Sequence, residues 1–130
     1  MTTIKKANIK KPEVAEVTQA VAAAKVKAIR TSPRKLNLVA GLIKGLHVQE
    51  ALTQLTFSKK RVAHAVKSCL NSAIANAENN FNLDIDSLYV HRVFVGKSFV
   101  MKRFMPRARG RAASIKKPFS ALTIILEERK

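Results

Sequence analysis

Acidic residues are scarce in this chain: 8 Asp plus Glu stand against 25 Lys plus Arg in 130 residues, a formal net charge of +17. A compact domain with that charge repels itself, and solubility alone needs only about 2–8 units. A polyanionic partner resolves the imbalance. Nucleic acid leads, because neutralised phosphates release condensed counterions; an anionic membrane comes second. Aromatics are also few: six Phe, one Tyr and no Trp. That argues against an open aromatic platform for stacking successive bases, and for recognition through charge and shape. The single cysteine, Cys69, excludes an internal disulfide and a cysteine-based zinc finger, and suits a reducing compartment. No apolar run approaches the length of a membrane span. The N-terminus lacks the continuous apolar core of a secretory signal. Glu13, Glu16 and the absence of Arg before Arg30 argue against an organellar transit peptide. A cytosolic protein is expected. Apolar residues are not scarce; at 47% they give the chain a core to bury, unlike a disordered basic tail. The length suits one small domain.

Residues 1–24 read as a basic extension, flexible when free. Lys5, Lys6, Lys10 and Lys11 surround a break at Pro12, and Val14 to Ala24 is an Ala/Val-rich stretch of good helix formers with a weak apolar face. Residues 25–130 form the expected domain. Val26 and Ala28 alternate with Lys25 and Lys27, a short strand toward Thr31. Ser32-Pro33 then starts a helix: Ser32 can cap, and Pro33 loses no hydrogen bond at the first position. Leu36, Val39, Ala40 and Ile43 recur at helical spacing, and Gly45 stops the run. Arg34 and Lys35 sit in the first turn, the wrong sign for a helix N-terminus. They suit either an external anion or plain surface charge.

Val48, Ala51, Leu52 and Leu55 give a second short helix. A third is expected from Lys59, capped by Ser58, to about Glu78. Its stripe is Val62, Ala65, Val66, Cys69, Ala73 and Ala77, widened by Leu70 and Ile74. So many small residues let a neighbouring element come close. Lys60, His64, Lys67 and Asn71 lie opposite the stripe, and Asn79, Asn80 and Asn82 end the helix. After a polar connection with Asp84 and Asp86, strand character begins at Leu88. A second strand, with Leu122, Ile124 and Leu126 on one face, ends the chain.

Between these strands lies the most informative segment, Gly96 to Ser120. Lys97, Lys102, Arg103, Arg107, Arg109, Arg111, Lys116 and Lys117 are cationic, and no acid occurs from Ser87 through Leu126. Flanking strands around an unbroken basic insert predict one hairpin, at about 94–122, turning near Ala108 to Ala112 where Gly110 supplies conformational freedom. Each arm would project on the order of 40 Å at roughly 3.3 Å per residue. Two-stranded ribbons are marginal in water, and Pro106 and Pro118 remove ladder donors. Order must therefore come from an enveloping anion. Phe99, Val100, Met101, Phe104 and Met105 are too apolar for a plain solvated loop. Arg dominates the tip, where its planar fork bridges phosphates or stacks on bases; Ala108, Gly110, Ala112 and Ala113 leave room for close approach.

Catalysis finds no support. His47, His64 and His91 stand alone, and His64 and Cys69 fall on different helix faces. Asp84 and Asp86 suit a turn, and no spacing suggests a metal site. The first two helices resemble a helix-turn-helix in outline, but the second is nearly uncharged, unlike a recognition helix. A membrane-active protein would carry its cations on an amphipathic helix rather than a hairpin.

Three stretches resemble the bacterial form of the universal large-subunit ribosomal protein twenty-two family. They are Arg30 to Leu36 with its continuation through Leu38-Val39-Ala40 to Gly45, Ser72 to Asn79, and the highly specific run Met101 to Ala112. The resemblance covers about Lys25 to the C-terminus. It implies an α+β fold, with three helices packed on a small three-stranded antiparallel sheet and one long protruding β-hairpin. It implies a structural, non-enzymatic protein without cofactor, in the large ribosomal subunit of the cytoplasm, with an organellar ribosome left open. Its partners would be large-subunit ribosomal RNA, neighbouring large-subunit proteins and the nascent polypeptide, with no membrane. Arg107, Ala108, Arg109, Gly110, Arg111 and Ala112 would form the tip that lines the exit tunnel. Ser32, Arg34, Lys35, Lys60 and Lys67 would meet RNA from the globular face. Lys97, Lys102, Arg103, Lys116 and Lys117 would meet it along the shaft. The family usually begins near Lys25, so residues 1–24 inherit no role; a basic tail on surface RNA is expected.

Overall fold

Alternation puts Leu122, Ile124 and Leu126 on one face of the C-terminal strand, and all three are fully buried. That strand is the middle of the molecule. The computed structural model describes residues 21–129; residues 1–20 of the arm expected over residues 1–24 lie outside them, and its last four residues belong to the sheet. In chain order it has β1 (Val21–Ile29), α1 (Pro33–Ile43), α2 (Val48–Phe57), α3 (Ala63–Phe81), β2 (Leu88–Pro106) and β3 (Ala112–Glu128). The sheet order is β1-β3-β2, with both pairs antiparallel. The three helices cover one face of it, so the fold is the expected α+β arrangement. Leu36, Val39 and Ile43 of α1 and Val66, Leu70 and Ala73 of α3 meet Leu88, Val90 and β3 in a single core.

The helices follow their local signals with two departures. In α1, Ser32 holds the N-cap position and Pro33 the first turn, but the Ser32 hydroxyl makes no capping bond. Gly45 ends the approach at φ +81°, a left-handed conformation that glycine adopts without strain. α3 starts at Ala63, four residues after the expected Lys59, with Val62 at its N-cap. Ser58 instead closes α2. A start at Lys59 would have put Lys59, Lys60 and Arg61 in a first turn that disfavours cations; the later start leaves them in the connecting loop. At the far end Asn82 turns left-handed, and its backbone N–H bonds the carbonyls of the last helical turn.

The small-residue stripe of α3 has a definite purpose. β1 packs against it: Ala22 and Ala24 are buried there, the Cys69 thiol lies 3.9 Å from the Ala24 carbonyl, and Asn76 donates to the Ala23 carbonyl at 3.1 Å. The end of the Ala/Val-rich stretch, Val21–Ala24, is therefore strand rather than helix. Burial pushes the Cys69 thiol pKa up, which keeps it a packed, unreactive group.

β2 and β3 continue past the domain as the predicted hairpin. Every residue from Gly96 to Ala112 is exposed, so the ribbon projects on the order of 30 Å beyond Lys97 at roughly 3.3 Å per residue. An extra β2 residue falls between Lys97 and Val100. At this bulge Phe99 stacks on Phe119, with ring centroids 4.4 Å apart. Beyond it the ladder runs from Val100–Pro118 to Pro106–Ala112. A 3-10 turn, Ala108–Gly110, closes the tip, with Arg109 and Gly110 both at positive φ.

Candidate nucleic-acid interface

The hairpin root is where distant segments meet. β1 ends opposite Ser120 of β3. There the buried Ser120 hydroxyl donates to the Thr31 carbonyl at 2.7 Å, pinning the start of α1 to the hairpin. From the other side, the Arg61 guanidinium donates to the Arg30 carbonyl at 3.1 Å and ties in the loop before α3. These contacts frame an open cleft of about 660 Å³. Arg30, Lys35, Lys60, Arg61, Lys116 and Lys117 line it together with Thr31, Ser32 and three apolar residues, Leu38, Val62 and Pro118. A smaller cleft of about 320 Å³ adjoins it through Lys60 and Arg61 and adds Lys59, His64 and Lys67.

Two helix N-termini open on the larger cleft. α1 and α3 both start there, and neither has a side-chain cap or an acid in its first turn. α2 differs: its N-terminus lies at the other end of the domain, with His47 capping and Glu50 in the first turn. Uncapped helix starts present free N–H groups and partial positive charge. Here they add to the surrounding side-chain cations. The acids among the described residues lie elsewhere: Glu50 at the start of α2, Glu78 late in α3, Asp84 and Asp86 in the turn before β2, and Glu127 and Glu128 at the end of β3. Helix polarity and chain topology therefore sort the charge. The cleft and hairpin form a continuous cationic surface without an acidic residue to neutralise it.

On the shaft, the register sets Lys102 directly opposite Lys116 and Met101 opposite Lys117. Like charges facing across a strand pair destabilise it. Arg103 lies along its own arm, donating to the Lys102 carbonyl and to the Met101 sulfur. At the tip, the Arg107 N–H donates to the Arg111 carbonyl at 2.8 Å, so Arg107, Arg109 and Arg111 crowd one turn. Left-handed backbone at a non-glycine residue costs roughly 1–2 kcal/mol, and Arg109 adopts it with φ 57°.

The predicted residues thus fall into three places. Ser32, Lys35, Lys60, Lys116 and Lys117 gather in the cleft, with Lys67 beside it and Arg34 exposed on α1 outside the lining. Lys97, Lys102 and Arg103 lie along the shaft, and Arg107 to Ala112 form the tip. Sequence reasoning missed Arg30 and Arg61 as cleft residues. The run Lys59-Lys60-Arg61 was a usable signal, since three cations fit poorly in a first helical turn. Lys67 is held by a 2.9 Å hydrogen bond to the Thr56 hydroxyl. His64 is exposed and Cys69 buried, so they do not form a nucleophile–base pair. Asp84 accepts a hydrogen bond from the Asp86 N–H, the expected turn role. Among the described residues no group of three metal-ligating side chains converges, and no helix is long and apolar enough to cross a membrane.

The sequence of the chain is similar to those of known proteins. The family model described as Ribosomal protein L22p/L17e matches residues 24–127. Large ribosomal subunit protein uL22 of Caulobacter vibrioides is 62% identical over 109 residues, covering 84% of this chain and 86% of that relative. The protein of the same name from Phenylobacterium zucineum is 63% identical over 107 residues, covering 82% and 85% respectively. That from Rickettsia prowazekii is 62% identical over 109 residues, covering 84% and 92%.

Proposed function

The chain belongs to the L22p/L17e family of ribosomal proteins, and on that premise we propose that it is a structural, non-enzymatic constituent of the large ribosomal subunit whose cleft and hairpin grip ribosomal RNA while the tip lines the nascent-peptide tunnel. The cytoplasmic ribosome is its place of work, and ribosomal RNA and neighbouring large-subunit proteins are its partners. The observation that carries the reading is the hairpin: an exposed ribbon with Lys102 facing Lys116 and no acid along it. Such a ribbon lacks the burial to hold itself in water. Folded RNA supplies phosphates on every side, so it can neutralise both arms at once. A duplex groove would reach the ribbon less completely.

The division of labour follows from the chemistry of each part. The cleft and shaft hold different stretches of RNA and so stabilise their arrangement during assembly. Ser32, Arg34, Lys35, Lys60 and Lys67 act from the globular face, and Lys97, Lys102, Arg103, Lys116 and Lys117 along the hairpin. The tip joins three arginines with Ala108, Gly110 and Ala112, whose small size admits a close neighbour. A passing polypeptide meets a constriction with positive charge and few bulky groups. Residues 1–20 serve as a basic extension on surface RNA, with Lys5, Lys6, Lys10 and Lys11 adding phosphate contacts.

Replacing Arg107, Arg109 and Arg111 together with Ala tests the tip. All three are exposed and remote from the core. Free-protein stability should stay within roughly 0.5 kcal/mol, as for other surface changes, and the variant should still enter large subunits. Ribosomes carrying it should show altered pausing on nascent chains that stall in the tunnel. Loss of folding in the free protein, or unchanged pausing on every such chain, would remove the tip from this role.

A further inference from the structure

Phosphate binding alone leaves one feature of the cleft unused. Its lining is partly aliphatic: Leu38, Val62 and Pro118 line it beside the cations. Leu38 keeps 64% of its surface exposed there, although it sits on the same helix as the core residues Leu36 and Val39. A site that met only phosphates would gain nothing from a leucine at this point. The cations also come from three walls: the start of α1, the loop before α3 and the root of β3. Regular duplex presents its phosphates on a convex surface and cannot reach three walls of a concave site together. A backbone that bends around one unstacked nucleotide can, because extrusion splays the flanking phosphates apart.

We infer that this cleft holds a single nucleotide extruded from the helical stack of ribosomal RNA, its base on Leu38, Val62 and Pro118 and its flanking phosphates on the cationic walls. The inference rests on the RNA-binding reading above and names the form of RNA that the site takes. About 660 Å³ is ample for a base and its sugar. Aliphatic packing does not select among base faces, so the site reads shape rather than sequence, as RNA-binding surfaces commonly do. RNA is the source, rather than a free nucleotide, for a structural reason: the Lys116–Lys117 wall runs without a break into the cationic hairpin, which extends far beyond what one nucleotide occupies.

The experiment uses the full chain and three probes: an RNA hairpin with one bulged 2-aminopurine nucleotide, the same hairpin fully paired, and ATP. The wild-type protein should prefer the bulged RNA by roughly tenfold, the size expected when one base face leaves water. The 2-aminopurine emission should rise as the base leaves its neighbours. Leu38→Gln should keep the circular dichroism and lose the preference for the bulged over the paired RNA together with the emission rise. Equal affinity for both RNAs, or a preference that survives Leu38→Gln, overturns the inference while leaving RNA binding intact. Competition by ATP at the same concentration as the bulged RNA assigns the site to a free nucleotide and overturns the stated source. Failure to bind either RNA sinks the RNA-binding reading itself.

Discussion

Leu36→Asp will leave the chain without a cooperative unfolding transition. Leu36 is fully buried on the inner face of α1, among residues of α3 and the sheet. Losing a buried leucine costs roughly 2–5 kcal/mol through transfer and cavity terms. The introduced carboxylate adds several more, because no cation reaches the core to pair with it. A domain this small has roughly 5–15 kcal/mol in total. Val66→Asp, fully buried on α3, should behave alike. Leu38→Asp is the control: two residues along the same helix and 64% exposed, it should retain the helical signal and a cooperative urea transition. The check is far-UV circular dichroism against urea. A cooperative Leu36→Asp protein would show that α1 packs on the sheet through a face other than the one bearing Leu36.

The second large effect concerns salt. Replacing Lys35, Lys60, Arg61 and Lys116 with Ala removes four of the six cleft cations without removing any residue of the apolar core. Each lost phosphate contact should flatten the plot of log affinity against log salt by roughly 0.7–0.9. Four contacts together should make the fall in ribosomal RNA affinity between 50 and 200 mM salt smaller by roughly a hundredfold. Filter binding across that range reads both slope and affinity. Lys44, exposed at the far end of α1, supplies the comparison: Lys44→Ala should change the slope little. A quadruple variant with the wild-type slope would mean that phosphates do not enter the cleft.

The hairpin was legible in the sequence for a physical reason. Two apolar strands flank a run that lacks any acid, with Gly110 in the middle, and only a projecting ribbon satisfies all of these. Its turn at Ala108–Gly110 falls where expected. The interior faces of α1 and α2 were legible for a similar reason, since helical spacing alone sets them. The start of α3 was not. Ser58 has the chemistry of an N-cap, but the same residue type serves at the end of α2, and the choice depends on Ala63 reaching the core and Arg61 reaching the Arg30 carbonyl. Val21–Ala24 read as helix-forming because alanine favours helices locally. Their strand conformation comes from pairing with residues about a hundred positions later and from the small-residue face of α3. The cleft was visible only in pieces. Its cations come from Arg30–Lys35, Lys60–Arg61 and Lys116–Lys117, and nothing local to any of these segments announces the other two.

Charge sorting links fold to function. Because α1 and α3 begin at the hairpin root while α2 begins at the opposite end, two bare helix starts face the same cleft and the capped, acid-bearing one faces away. The arrangement leaves the root and hairpin electrostatically incomplete in the free protein. It is completed by the partner, which fits a component that orders RNA and is ordered by it.

Sedimentation of this protein in cell lysate, on gradients run at low and then high salt, tests the central claim most directly. Co-migration with the large subunit that survives high salt is the predicted result, since a hairpin enveloped by RNA makes many contacts and cannot leave one contact at a time. Exposed phosphate contacts alone would weaken by roughly 10³–10⁵ between 50 and 200 mM salt for six to ten contacts. Release to the top fractions at high salt, or migration with DNA, would contradict the account.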